Sequence, residues 1–105
     1  MFVALDATIQ VATMILKFAH KGLERFYATG SKAGINPQHA DKLSRQLSFL
    51  DNATKPQDVD VIGWKLHPLT GDLMGYYSIS VNGNWRLIFK FSNENVEIVD
   101  YLDYH

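Results

Sequence analysis

The sequence predicts an α+β domain: a short leading strand and two helices packed on one face of an antiparallel sheet. Three observations carry this. Two segments in the first half place apolar residues at helical spacing. The second half holds runs that alternate apolar and polar residues, as half-buried strands do. Turn-forming residues, Asn82-Gly83 above all, separate two of those runs at hairpin spacing.

The elements follow in order. A short strand is expected at Met14 to Phe18. The first helix runs from about Ala19 to Ala28, with Leu23, Phe26 and Tyr27 on one face, and ends near Thr29-Gly30, where glycine accepts the left-handed cap conformation. The second helix opens on Asn36 as cap and Pro37 at the first helical position. Ala40, Leu43, Leu47 and Leu50 form its buried stripe, and it reaches Asp51 or Asn52. Ala53 to Asp60 is a polar loop containing Pro56. Strands are expected at Gly63 to His67, Tyr76 to Val81, Asn84 to Phe91 and Val96 to Tyr101. Pro68 and Gly71 mark a loop after His67, and Ser92-Asn93-Glu94-Asn95 a second hairpin.

The chain has 105 residues, 47% hydrophobic and 20% charged, which suits one domain with one core. Residues 1–13 are expected to be an extension, dispensable to a domain spanning 14–105. They lack the basic n-region of a secretory signal, and Asp6 interrupts their apolar stretch. Cysteine is absent, which removes thiolate chemistry and fits a cytoplasmic location. No apolar run approaches the roughly 20 residues of a membrane span, so no membrane partner is expected. The four histidines, His20, His39, His67 and His105, show no paired metal-ligand spacing, and no glycine loop has phosphate-cradling form. The sequence therefore predicts neither metal nor cofactor.

Charge is uneven. Between Lys17 and Leu50, six Lys/Arg (Lys17, Lys21, Arg25, Lys32, Lys42, Arg45) face only Glu24 and Asp41. From Asp51 onward, four cations face eight acids. Such a split marks either a nucleic-acid-facing half or simply solvated helix lysines.

The candidate chemistry lies in a few polar groups. The chain closes on Asp103-Tyr104-His105, directly after an alternating strand that can hold them at one edge of the fold. An imidazole beside a carboxylate is acid–base equipment near neutral pH. If the strand continues, Asp103 and His105 share a face and Tyr104 points oppositely. His67 sits at a strand end before a loop, a place where functional groups often ride on a rigid scaffold. Arg86 interrupts the apolar run Trp85-Arg86-Leu87-Ile88-Phe89. It reads either as a phosphate ligand or as a cross-strand partner for Glu97 or Asp100. Tyr76, Tyr77, Trp64 and Trp85 can stack on RNA bases, though core packing is the commoner fate of strand aromatics. His39, on the second helix, is expected to contribute little to that chemistry.

These segments together closely resemble the HigB-type toxins (also called GraT- or killer-type) of the RelE/ParE superfamily. The matching stretches are Phe18-Ala19-His20-Lys21-Gly22-Leu23, Phe26-Tyr27-Ala28-Thr29-Gly30-Ser31 and Gly34-Ile35-Asn36-Pro37-Gln38-His39-Ala40. They continue through Leu66-His67-Pro68-Leu69, Val81-Asn82-Gly83-Asn84-Trp85-Arg86 and the terminal Asp103-Tyr104-His105. The resemblance implies a RelE/ParE-like fold and a type II toxin that cuts messenger RNA in the ribosomal A site. It implies a HigA-type helix-turn-helix antitoxin as partner, with operator DNA reached only through the antitoxin complex. It places His67, Arg86, Asp103, Tyr104 and His105 at active-site positions. The family often carries a lysine three residues after the histidine of the His-Pro-Leu motif; here that residue is Thr70.

The expected reaction needs no metal. A ribose 2′-hydroxyl attacks the adjacent phosphorus, and the reaction requires a base, an acid and a cation. His105, oriented by Asp103, serves as base and His67 as acid, or the two exchange roles. Arg86 neutralises developing charge, and Tyr104 donates a proton or stacks on a base. Imidazole's reference pKa of about 6.5 suits either transfer. Lys21, Arg25, Lys32, Lys42 and Arg45 are the expected contacts to ribosomal RNA. The runner-up is a binding module with a degenerate site, such as a ParE-like inhibitor of gyrase.

Overall fold

A computed structural model describes residues 15–104. The extension expected at 1–13, together with Met14 and His105, lies outside the described residues. Two helices, α1 (Lys21–Thr29) and α2 (Ala40–Asn52), precede strands β1 (His67–Pro68), β2 (Tyr77–Asn82), β3 (Trp85–Ser92) and β4 (Asn95–Asp103). The strands form one sheet in the order β1-β2-β3-β4, each pair antiparallel. The α+β class and the meander expected from the sequence are present.

Each boundary has a local cause. His20 caps α1, its Nδ1 accepting from the Leu23 amide at 2.9 Å. That ring therefore does the work usually left to Ser, Thr, Asp or Asn, which is why α1 starts two residues later than its apolar pattern suggests. Gly30, at φ 81°, closes α1 with its amide on the Phe26 carbonyl. Asn36 accepts from the Gln38 amide, and the first turn it opens, Pro37–His39, is 3₁₀ before α2 begins. The expected leading strand is reduced to two parallel bridges, Ile15 with Val96 and Phe18 with Val99. These pair the segment with the outer edge of β4, an edge that would otherwise present unpaired amides.

Two strand assignments change. The run Gly63 to His67 is not extended: Gly63 has φ 91° and Lys65 φ 55°, so only His67 and Pro68 pair with β2. In the first hairpin the turn residues are Gly83-Asn84, one step later than Asn82-Gly83. A bulge between Ser80 and Asn82 shifts the register and pairs Asn82 with Trp85. Gly83 (φ 57°) then occupies the first central position, the φ pattern of a type II′ turn. The second hairpin turns on Asn93 and Glu94, both at positive φ.

The helices cover one face of the sheet. Leu23 of α1 and Ala40, Leu43, Leu47 and Leu50 of α2 meet Ile79, Val81, Leu87, Phe89, Val96, Val99 and Tyr101. Each large aliphatic residue buried here contributes roughly 1.5–3 kcal/mol. Trp64 joins this core at 2% exposure, and Trp85 and Tyr77 pack against it, so these strand aromatics are structural. Tyr76 instead carries the Lys90 ammonium over its ring at 5.5 Å.

His39 is buried where the second helix begins. It is 4% exposed, 2.7 Å from the Tyr101 hydroxyl through Nδ1 and edge-on to Trp85. The same Tyr101 oxygen also accepts from the Asn36 amide at 3.3 Å. Burial holds the His39 pKa below its ordinary value and raises that of Tyr101. His39 is thus part of the core.

Candidate active site

Alternation along the strands sorts the side chains into two faces. Ile79, Val81, Leu87 and Phe89 face the helices. Ser78, Ser80, Arg86 and Ile88 therefore face away. Cross-strand register extends the outward set: His67 lies opposite Ser78, Ser78 opposite Ile88, and Ile88 opposite Asp100. One row nearer the Gly83 turn, Ser80 lies opposite Arg86 and Arg86 opposite Leu102. His67 and Arg86 thus share the face without helices, two strands and two residues apart. Their α-carbons are separated by roughly 12 Å on sheet dimensions.

Each side chain is fixed by its own contacts. His67 Nδ1 lies 3.0 Å from the Lys65 carbonyl, which can only accept, so Nδ1 carries the proton. The left-handed conformation of Lys65 (φ 55°) accompanies this contact. Nε2 is therefore the reactive edge: a lone pair in the neutral ring, an acid in the imidazolium. It meets the Ser78 hydroxyl at 3.4 Å. Arg86 Nη1 donates to the Gly83 carbonyl at 2.8 Å, to Ser80 Oγ at 3.3 Å and to the Trp85 carbonyl at 3.3 Å. All three bonds use one nitrogen, so Nη2 and Nε remain for an anion. Arg86 takes no carboxylate partner among the described residues. Glu97 instead pairs with Lys90 at 4.0 Å, and the Asp100 carboxylate caps the Tyr101 amide at 2.8 Å.

Ser78 and Ser80 were absent from the sequence-derived candidates. Their signal was the i, i+2 spacing of two hydroxyls on the polar face of an alternating strand. They hold Nε2 and Nη1 over β2, with hydroxyls roughly 7 Å apart at two residues' rise.

The chain end is placed in part. β4 runs through Asp103, whose cross-strand partner is Trp85. Trp85 packs on Tyr101 at 4.7 Å on the helix side, so Asp103 belongs by alternation to the face opposite Arg86. Tyr104, just past the end of β4, donates its amide to the Asn84 carbonyl at 2.8 Å and is 42% exposed. His105, the expected partner of Asp103, lies outside the described residues. Thr70 is exposed at the start of a 3₁₀ turn, Gly71–Leu73.

The basic residues lie elsewhere. Lys21, 3.9 Å from Glu24, and exposed Arg25 sit on α1, Lys32 follows it, and Lys42 and Arg45 sit on α2. Arg45 stacks over Phe49 and Trp64 at 5.6 and 5.7 Å. All five belong to the helical layer, across the sheet from His67 and Arg86. A groove of about 490 Å³ between α1 and α2, lined by Tyr27, Leu47 and Asp51 among others, is likewise in that layer. Among the described residues, no three His, Cys, Asp or Glu gather as metal ligands.

Known proteins share this chain's sequence and shape. The family described as RelE-like toxin of type II toxin-antitoxin system HigB matches residues 16–105. Endoribonuclease HigB of Proteus vulgaris is 41% identical over 92 residues, covering 88% of this chain and all of the relative. Toxin HigB-1 of Vibrio cholerae serotype O1 is 36% identical over 94 residues, covering 88% of this chain and 98% of the relative. In shape the chain is similar to the YoeB-YefM complex and the YoeB dimer of Staphylococcus aureus. The TM-scores are 0.58 and 0.55, each at 22% identity over 89% of this chain and 97% of the other. The match across nearly the whole domain, with relatives above 30% identity at full length, makes this chain a member of the HigB family of RelE-like toxins of type II toxin–antitoxin systems.

Proposed function

We propose that this toxin is an endoribonuclease that cuts ribosome-bound messenger RNA by metal-independent attack of a 2′-hydroxyl. The observation that carries the reading is the pairing of His67 Nε2 and Arg86 Nη1 over β2, each held by a serine hydroxyl on the open face of the sheet. The name of the Proteus vulgaris relative, an endoribonuclease, points the same way.

In the proposed reaction the scissile phosphate sits between His67 and Arg86. The 2′-oxygen attacks phosphorus as a base takes its proton, and the phosphorane's added charge faces the guanidinium. The 5′-oxygen leaves with a proton from an imidazolium. The products are a 2′,3′-cyclic phosphate and a free 5′-hydroxyl, so atoms and charge balance without a further reactant. His67 serves as acid with His105 as base, or the reverse. Tyr104, exposed beside the end of β4, stacks on a base or donates a proton. Asp103 acts on His105 rather than on the phosphate, a role that requires the chain to leave the strand alternation where β4 ends at Asp103.

Among the described residues the open face offers one guanidinium and no basic cluster, and phosphate contacts dominate affinity for RNA. The ribosome supplies the missing positioning, with Lys21, Arg25, Lys32, Lys42 and Arg45 touching ribosomal RNA from the helical layer. The partner is a HigA-type helix-turn-helix antitoxin, and operator DNA is bound only through that complex. Both act in the cytoplasm. One residue favours a second reading: Thr70, where the family often has a lysine, points to a weakened site and a protein target such as gyrase.

Primer extension on messenger from a reconstituted translation reaction separates the two. Breaks within codons at the A site, absent when the same messenger is offered without ribosomes, are the expected result. Intact messenger alongside inhibited gyrase would favour the second reading.

A further inference from the structure

We propose that Ser78 and Ser80 are positioning residues that set the separation of His67 and Arg86 across β2; this rests on the cleavage reading above. Ser78 is 2% exposed in a strand where a valine would satisfy β-propensity better. A buried hydroxyl is costly without a partner, and its side-chain contact is His67 Nε2 at 3.4 Å. With Nδ1 on the Lys65 carbonyl at 3.0 Å, the imidazole is held at both nitrogens. A substrate proton has only to displace one weak hydroxyl contact.

Ser80 is held more firmly. Its amide donates to the Trp64 carbonyl at 2.7 Å, and its carbonyl accepts from Gln46 Nε2 at 2.8 Å. Gln46 is fully buried, and its Oε1 has no partner among the described residues. The core thus bears the desolvation of a glutamine whose one side-chain bond pins Ser80. A bulge follows between Ser80 and Asn82, a device that re-aims side chains beside active sites. The Ser80 hydroxyl then accepts from Arg86 Nη1, and Gly83 of the adjoining turn holds the same nitrogen.

The test is single-turnover cleavage on programmed ribosomes, with circular dichroism confirming that each variant folds. Ser78→Ala and Ser80→Ala are expected to cut about tenfold more slowly at saturating ribosomes with unchanged half-saturation, the size of a lost hydrogen bond to a charged group. Ser80→Thr, which keeps the hydroxyl, retains the parental rate. In an Arg86→Lys background Ser80→Ala adds no further loss, and in a His67→Gln background Ser78→Ala adds none, because each serine acts through its partner. Parental rates for both alanine variants would overturn the proposal, as would losses that carry over in full to those backgrounds. If Arg86→Lys and His67→Gln themselves cut at the parental rate, it is the cleavage reading that fails. The positioning claim then stands or falls on the His67 ring-nitrogen resonances. Ser78→Ala should move Nε2 and leave Nδ1, and an unmoved Nε2 rejects it.

Discussion

His67 carries the most specific assignment at the level of single residues. The Lys65 carbonyl fixes its tautomer, so Nε2 is the nitrogen that faces substrate in either protonation state. His67→Ala is expected to cost about 10²–10⁴ in single-turnover cleavage, the usual loss on removing a general acid or base. Thr70→Lys should act in the opposite sense. Thr70 is exposed three residues after His67, and a lysine there restores the cation that the family often carries; a rate above the parent's on programmed ribosomes is the expected outcome. His39 behaves differently. Its pKa is lowered by burial, so the unfolded chain binds the proton more tightly. Its contribution is full above the ordinary value near 6.5 and is lost as pH falls from there toward the folded value. Urea midpoints for the parent should therefore drop across that window. His39→Gln should start lower, having lost the Tyr101 and Trp85 contacts, and should lack that part of the drop.

Among the elements, α1 and the loop after it meet through backbone. A β-carbon on Gly22 would lie 2.2 Å from the Gly34 carbonyl oxygen, and one on Gly34 would lie 2.5 Å from the Gly22 α-carbon. Neither contact can be relieved by a rotamer. Gly22→Ala should destabilise the fold by about 1–3 kcal/mol, the usual range for overpacking, measured by thermal unfolding. This contact is invisible in the sequence, where two glycines twelve residues apart suggest nothing. The α2 stripe was fully legible, because period 3.6 reports burial directly: Ala40, Leu43, Leu47 and Leu50 all reach the core. β1 was not, because a non-glycine residue at positive φ, Lys65, ended the extended run where composition suggested a strand. The same limit applied to the site. His67 and Arg86 could be named as residue types, but their common face depended on register, and a bulge near Ser80 lies beyond any pattern of period 2.

For the molecule as a whole, the layers divide the labour. The helical layer carries the five cations proposed for ribosomal RNA, and the open sheet face carries His67 and Arg86. Charge reversal on the helices should weaken ribosome-dependent cleavage without touching the chemistry, so half-saturation rises while the rate at saturation holds. We also propose that residues 1–13 are dispensable. The Proteus vulgaris relative matches over its full length with 92 residues of this chain, and core packing in the described residues begins at Ile15. A protein starting at Met14 should melt like the parent and keep its activity; loss of folding would place the extension in the core.

The central claim is that the open face cleaves RNA through a ribose hydroxyl. The most direct measurement places a synthetic messenger with a single 2′-deoxy nucleotide at the scissile position of the A-site codon on programmed ribosomes, beside its all-ribose twin. The account predicts that the twin is cut to an upstream fragment ending in a 2′,3′-cyclic phosphate and that the deoxy messenger stays whole. Equal cutting of both messengers would contradict it and would remove His67 and Arg86 from the roles assigned here.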